Sequence, residues 1–464
     1  MGSAAAPLCH VVAVPYPGRG HVNAMLNLCR LLAARDGVTA TVVVTEEWLG
    51  LLGGAAEEEW GAGVRLEAIP NVVPSEHGRA GDMLGFVEAV YTRMEAPFER
   101  LLDRLGATAA APSAIVADTF VLPWAVGVGN RRGVPVCVLS ALGATMFSVH
   151  YHFHRLPAAA DGADPCLIGS YIPGLKSIRL SDLKPTHSNK NMLERIMEAY
   201  SCVRKAQCVI FTSFYELESN AVDALRQELP YPVFSVGPCI PYISLEAEHH
   251  HAGAEEEAAY MAWLDSQPAG SVLYVSLGSF LSVSPAQLDA IATGLAESKV
   301  RFLWVLRGSD AARSGVRDLL REGDAATAGM VVPWSDQLKV LCHPSVGGFL
   351  THCGMNSTLE AVHAGVPMLT LPIAFDQPVV SRLISDEWKV GYGLREKAGD
   401  VVVGQEEIAA AVRRLMGSDA AEEAKETRRR ASLMREASRA AAQVGGSSYR
   451  GITSLIDYLS EFKN

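Results

Sequence analysis

The feature that most narrows the possible folds is a regular alternation late in the chain, WSDQLKVLCHPSVGGFLTHCGMNSTLEAVHAGVPMLTLPIAFDQ, from Trp334 to Gln377. An apolar run, Met330 to Val332, and Pro333 precede it and bring Trp334 to an edge. Ser345 to Thr351 reads as a second strand, broken at His352-Cys353-Gly354. Asn356 to Ala364 carries a helical pattern, and Pro367 to Leu371 is a third strand followed by Asp376-Gln377. Strand, helix, strand predicts parallel strands with their carboxyl ends on one edge. In open α/β sheets that edge is where ligands bind.

The residue types at this edge suit a sugar nucleotide. Gly354 lets the backbone approach a ligand closely. The helix start after it offers free amide hydrogens and a positive dipole end, which suit a diphosphate. His352 and Ser357 can add donors. Glu360 lies one turn past Ser357 and could accept from a ribose diol. Trp334 offers a flat face for a base, and Asp376 and Gln377 could hold sugar hydroxyls. Plainer readings exist: Ser357-Thr-Leu-Glu360 is also a capping box that needs no ligand. A tryptophan at a strand end often serves packing, and a lone histidine is often structural.

The first half begins with a comparable pattern. Leu8 to Val14 is a strand, Pro15 to Gly20 a tight loop, and His21 to Ala34 a helix with Met25, Leu28, Leu31 and Leu32 on its apolar side. Asn23 stands where the third glycine of a dinucleotide fingerprint would fall, so that motif is not met. His21 sits at a helix start, where a positive dipole end favours a neutral ring able to act as a base. Ser113 to Ala117 is another strand and ends on Asp118. Side chains at the ends of two parallel strands can meet, although a histidine or an aspartate at such a place can equally be a cap.

The remaining strands are expected at Thr39–Thr45, Val64–Ile69, 134–139, 208–212, 233–236, 271–275, 301–306 and 391–395. Glu46 to Trp60 and Leu84 to Leu105 are expected as single helices, and 308–328 as a charged, partly exposed segment. Ala141 to His154 carries Met146, Phe147, His150, His152 and His154. No carboxylate or cysteine falls at ligand spacing near these histidines, so an acceptor-pocket wall is preferred to a metal site. Pro238, Pro241, the histidine run 249–251 and Glu255 to Glu257 mark a linker. The order strand, glycine loop, helix then recurs from Ser271 through the small-residue loop Ser276-Leu-Gly-Ser279.

Composition excludes several classes. The net charge is −11 and the pI about 5.7, which argues against nucleic acid or an anionic membrane surface as partner. No apolar run is long enough to span a bilayer, and no signal peptide is read at the N-terminus. The nine cysteines are scattered and contain no CxxC pair, as in a reduced cytosolic protein. No Asp-x-Asp motif occurs, so no metal is expected to bridge a diphosphate.

The segment Trp334 to Gln377 resembles, in pattern and in length, the signature box of the plant secondary-product UDP-glycosyltransferases. The resemblance implies an α/β chain of the GT-B fold, with two facing Rossmann-like domains. It implies an acceptor domain over residues 1–240, a linker over 241–258, a donor domain over 259–445 and a C-terminal helix, 446–464, crossing back. By resemblance Trp334 stacks on uracil with Gln337 beside it, and Glu360 binds the ribose. Ser279, His352, Gly354, Asn356 and Ser357 surround the diphosphate, while Asp376 and Gln377 hold the sugar. His21 and Asp118 match the family's catalytic pair. Phe120, Met146, Phe147 and His150 are expected around the acceptor. Met355 and Phe375 depart from the usual pattern, each standing where tryptophan is common.

The implied activity is an inverting transfer of a sugar, with a lean to glucose, from UDP to a hydroxyl of a small lipophilic metabolite. The UDP-sugar is a co-substrate, and no cofactor or metal is implied. The protein is expected to be a cytoplasmic monomer. Two other classes stay open: a non-catalytic UDP-sugar-binding protein, and a nucleotide-dependent oxidoreductase. His21 with Asp118 argues against the first, and the missing third glycine against the second.

Overall fold

A computed structural model describes residues 9–53, 61–108, 111–157, 166–184, 189–242, 254–278, 283–307, 329–394, 402–417 and 422–462. Two parallel sheets organise them. The first contains β1 (Cys9–Val14), β2 (Val38–Thr45), β3 (Val64–Ile69), β4 (Ala114–Asp118), β5 (Val136–Ser140), β6 (Val209–Phe211) and β7 (Val233–Ser235). The second contains β8 (Val272–Ser276), β9 (Arg301–Val305), β10 (Gly329–Val332), β11 (Val346–Thr351), β12 (Met368–Thr370) and β13 (Gly391–Gly393). Strands of both sheets are almost wholly buried and rich in valine, as expected of parallel strands covered on both faces. This is the two-domain GT-B architecture.

Strand order fixes where sites can form. The first sheet runs β3-β2-β1-β4-β5-β6-β7, and the second β10-β9-β8-β11-β12-β13. Each therefore reverses direction once, between β1 and β4 in the first and between β8 and β11 in the second. The connections after the two central strands diverge there and leave a crevice at the carboxyl edge. β1 and β4 pair in register from Val11↔Ala114 to Val14↔Ala117, so the chain leaves both strands side by side.

Several expectations change in detail. The stretch Leu84 to Leu105 is two helices, Met83–Arg93 and Glu95–Thr108, interrupted at Met94. Pro97 has no amide hydrogen for the Arg93 carbonyl, and its ring crowds that group. Residues Ala254–Asp265 form a helix, so the acidic end of the expected linker is helical. Beyond Gln377–Arg382 the backbone widens to a π-helical turn, Leu383–Glu387. Ser279, residues 54–60, the histidines at 249–251 and 308–328, for which the sequence raised expectations, lie outside the described residues.

The last helix, Ser447–Glu461, packs on the first sheet, not the second. Ile452, Leu455 and Leu459 are buried in one cluster with Val11, Val42 and Cys208. Each such side chain contributes on the order of 1.5–3 kcal/mol by burial. The Tyr458 hydroxyl donates to the Gln207 carbonyl at 2.9 Å. The chain thus straps the two sheets together after both are complete.

Candidate active site

The crevices of the two sheets face one another across a cleft of about 550 Å³. In the first sheet, the tight loop after β1 leads into the helix Arg19–Ala33, which carries His21 in its first turn. β4 ends on Asp118, whose Oδ1 accepts from the Phe120 amide at 2.9 Å and caps the turn that follows. Its Oδ2 lies 2.7 Å from His21 Nδ1. The carboxylate is 1% exposed and the imidazole 17%, so the pair sits at the cleft wall with only the ring reaching the space. Nδ1 is occupied by Asp118, which leaves Nε2 as the nitrogen available to a substrate. Tyr16 and Phe120 set their rings edge-on to the imidazole, with centroids 5.1 and 5.8 Å away.

Opposite, the ends of β8, β10, β11 and β12 converge. His352 follows β11, and burial pushes its pKa down to about 4, so the ring is neutral at pH 7. Gly278 and Gly354 flank that ring: a Cβ built on either would lie 2.7 or 2.6 Å from His352 Nε2. Cys353 has φ of 69° and Phe375 has φ of 57°, left-handed values rare for these residues. Both mark loops held in strained shapes at the cleft. The helix Met355–Ala364 starts at Gly354 with no side-chain cap, so its first amides point into the cleft.

The side chains of this wall form a network. Gln337 Nε2 donates to Ser357 Oγ at 2.9 Å and to Glu360 Oε2 at 2.6 Å. Burial raises the Glu360 pKa to about 7, against the opposing effect of the Gln337 bond. Asp376 is raised to about 6, again chiefly by burial, with His21 opposing the shift electrostatically. Gln377 turns its Oε1 onto its own loop, accepting from the Ile373 and Ala374 amides at 2.7 and 3.0 Å. Its amide nitrogen is the end left for a ligand. Trp334 is 45% exposed at the cleft, an unusual position for so large an apolar ring.

Among the residues expected around the donor, Trp334, Gln337, His352, Gly354, Asn356, Ser357, Glu360, Asp376 and Gln377 all line the cleft. Asn356 differs in one respect. Its Nδ2 donates to the Gly20 carbonyl of the opposite wall at 2.7 Å, while its Oδ1 is buried without a partner among the described residues. Met355 is buried, with its methyl against Gly143, also of the opposite wall.

On the acceptor side, Phe120, Met146 and His150 line the cleft, but Phe147 does not. Phe147 is 0% exposed and packs against Tyr200 and Phe211, with centroids 5.3 Å away in both cases. The reason is helical phase. In Gly143–Tyr151, Met146 and His150 share a face four residues apart, and Phe147 points about 100° away toward the sheet. His152 is buried beside Glu228, with His152 Nε2 3.3 Å from the carboxylate, and His154 is exposed. The three histidines therefore diverge. Among the described residues no group of His, Cys, Asp or Glu is arranged to hold a metal ion.

Residues not anticipated complete this side: Tyr16, Arg79, Met83, Tyr91, Met192 and Arg195. A signal existed for one of them, Met192. The helix Lys190–Val203 carries Met192, Ile196, Ala199 and Val203 along one stripe, and its early members reach past the core into the cleft. The two arginines are internally compensated. Arg79 pairs with Glu76 at 3.0 Å, and Arg195 pairs with Glu198 at 2.7 Å and with Glu88. This half of the cleft is largely apolar, and Arg79 and Arg195 in it are both paired; Arg19 also lines the cleft, near the His21 loop.

No described helix is long and apolar enough to cross a membrane. All nine cysteines are free.

Comparison with known proteins agrees with the geometry. The family described as UDP-glucoronosyl and UDP-glucosyl transferase matches residues 186–419. The chain is 42% identical to UDP-glycosyltransferase 87A2 of Arabidopsis thaliana over 97% of each chain. Among solved structures, Medicago truncatula UGT71G1 complexed with UDP-glucose aligns with a TM-score of 0.82 at 26% identity, covering 97% of this chain and 98% of that one. Os79 of O. sativa, in complex with U2F and trichothecene, aligns with a TM-score of 0.83 at 25% identity, covering 97% and 100%.

Proposed function

The chain belongs to the UDP-glucuronosyl and UDP-glucosyl transferase family and is a UDP-glycosyltransferase; from that premise we propose that it moves glucose, with inversion, onto the hydroxyl of a neutral, lipophilic small molecule. The observation that carries the catalytic part is the His21 Nδ1 to Asp118 Oδ2 contact of 2.7 Å at the cleft wall. His21 Nε2 takes the proton of the acceptor hydroxyl as its oxygen bonds to the anomeric carbon. The bond from that carbon to the β-phosphate oxygen breaks, and UDP leaves with the electron pair. Asp118 holds the ring by Nδ1 and stabilises the imidazolium without taking the proton itself.

The donor residues divide by the strand end they occupy. Trp334 stacks on uracil, Gln337 and Glu360 face the ribose, and Asp376 with the Gln377 amide nitrogen faces the sugar. Neutral His352, the Ser357 hydroxyl and the helix start after Gly354 receive the diphosphate as UDP departs. UDP-glucose is the donor bound in the Medicago structure, and Gln377 ends the box here. A neutral acceptor fits the apolar half of the cleft, where both arginines already have carboxylate partners. An acceptor carboxylate beside these two arginines would lose its hydration and have to compete with the carboxylates already paired to them. The same reading places the enzyme in the cytosol as a monomer, with no cofactor.

The test is incubation with UDP-glucose and a panel of neutral alcohols and phenols paired with carboxylic acids of matching shape, with products weighed by mass spectrometry. Hexose adducts on the hydroxyl compounds are expected. Adducts formed chiefly on the acids would overturn the acceptor assignment.

A further inference from the structure

The first turn of the helix Met355–Ala364 belongs to the donor wall, yet two of its side chains grip the other wall. Asn356 Nδ2 donates to the Gly20 carbonyl at 2.7 Å. That carbonyl is in the peptide unit that leads directly into His21. The neighbouring Met355 sets its methyl against Gly143, where the helix bearing Met146 and His150 begins. Gly143 has φ of 78°, and a Cβ there would lie 2.6 Å from the Met355 methyl. Ser357 and Glu360, on the same helix, are held by Gln337 on the donor side. One short helix therefore touches the base loop, the acceptor wall and the donor network.

The orientation of the Asn356 amide is fixed by chemistry. A carbonyl oxygen can only accept, so the atom facing Gly20 is the nitrogen. The remaining atom, Oδ1, is buried without a partner among the described residues. An amide oxygen cannot donate to a phosphate, and the Gly20 bond takes one of the two hydrogens on the amide nitrogen.

We infer that Asn356 is a positioning residue, whose side chain ties the donor-binding helix to the loop carrying His21. The inference rests on His21 as the base. When the Gly20 carbonyl is released, His21 loses its registration with the sugar carbon bound on the opposite wall. A displacement of about 1 Å at a reacting group can cost ~10²-fold in rate. Affinity for UDP, which the donor wall as a whole supplies, falls far less than kcat does.

Two measurements on wild type, Asn356→Ala and Asn356→Asp decide this. Calorimetry with UDP should give dissociation constants for Asn356→Ala within about threefold of wild type, while kcat with UDP-glucose falls ~10–100-fold. Loss of UDP affinity by the same factor as kcat/KM would make Asn356 a diphosphate ligand and overturn the inference, as would an unchanged kcat. Amide hydrogen exchange supplies an arm independent of turnover. In the presence of UDP, residues 19–24 should exchange faster in Asn356→Ala than in wild type, and equal rates overturn the inference. Asn356→Asp, which keeps the shape and removes the donor, should speed exchange over residues 19–24 as the alanine variant does and serves for that measurement if the latter folds poorly; its charge beside the diphosphate site keeps it out of the affinity comparison. A wild-type enzyme that binds UDP but transfers no glucose would count against the proposed donor alone, because the exchange measurement would still read the tie.

Discussion

Gln337 Nε2 stands 2.6 Å from Glu360 Oε2 and donates a hydrogen bond to this carboxyl, whose pKa burial has raised to about 7. The sign of the consequence follows from linkage. The folded chain holds the Glu360 proton up to about pH 7, whereas the unfolded chain loses it near the ordinary 4.5. Between those values the folded state binds more protons, so stability of the unliganded enzyme falls as pH rises through that window. A ribose diol donates to the ionised form and favours it. Binding of UDP should therefore release a proton from Glu360 near pH 6–7, and the affinity should strengthen as pH rises toward that carboxyl's pKa. Calorimetry in buffers of different ionisation enthalpy reads the release. UDP's own phosphate titrates equally in Glu360→Gln, so the difference between the two proteins isolates the residue. Identical proton release in both would remove Glu360 from the ribose.

Trp334 is 45% exposed although its ring is large and apolar. A stacked uracil would cover that face. Trp334→Ala should weaken UDP by ~1–3 kcal/mol, the range for a base on an aromatic side chain. The same variant should leave the thermal midpoint of the unliganded enzyme nearly unchanged, since an exposed face contributes little to the core. Unaltered UDP affinity with a lowered midpoint would return the ring to packing.

Gly354→Ala tests the close approach at His352. The added methyl would sit 2.6 Å from His352 Nε2, nearer than real Cβ atoms come. The ring is confined on its other side by Gly278, whose own Cβ would lie 2.7 Å away. Overpacking of this kind costs typically ~1–3 kcal/mol. Because the displaced group is the neutral ring assigned to the diphosphate, UDP affinity should fall more than thermal stability does. A variant that binds UDP normally would show that His352 has room to move and is not a diphosphate contact.

The donor wall was legible in the sequence because its residues lie close together in the chain. The strand ends after β10, β11 and β12 fall within Trp334 to Gln377, and local alternation suffices to bring them to one edge. The pairing of His21 with Asp118 was harder. Nothing local relates residues 97 apart; the strand order that sets β1 beside β4, and the resemblance, do. The acceptor side escaped for two reasons. Phe147 and Met146 differ by a single helical step, and composition does not say which one faces the cleft. Arg79 and Met83 come from a polar loop and the helix after it, and only tertiary packing turns them inward. The tie from Asn356 to Gly20 is invisible in any local pattern, since it depends on how two sheets face each other.

Metal independence follows from the chemistry assigned to the diphosphate. The chain has no Asp-x-Asp motif, and neutral His352, Ser357 and the open helix start supply hydrogen-bond donors at that place. Transfer should persist in excess chelator. Activity lost to the chelator and restored specifically by Mg²⁺ or Mn²⁺ would require another phosphate site.

The dyad gives the most demanding prediction. An alcohol is a poor nucleophile until its proton leaves, and a base positioned to take it is worth ~10²–10⁴-fold in rate. His21→Ala should lose transfer in that range while UDP binding stays normal, because His21 is assigned no donor contact. Asp118→Asn keeps the shape of the carboxylate but not its charge. It still accepts from the Phe120 amide through its oxygen, so the turn after β4 should survive. Its amide nitrogen would then face His21 Nδ1 as a donor. That forces the opposite tautomer, with the proton on Nε2, where it cannot take one from the acceptor. Transfer should therefore slow in Asp118→Asn as well. Since Asp118 acts only through the ring, the double variant should be little worse than His21→Ala alone. Steady-state kinetics of the three variants on one hydroxyl acceptor decide the matter. Near-normal turnover in folded His21→Ala would remove the base, and additive losses in the double variant would mean that Asp118 contributes to transfer without acting through His21.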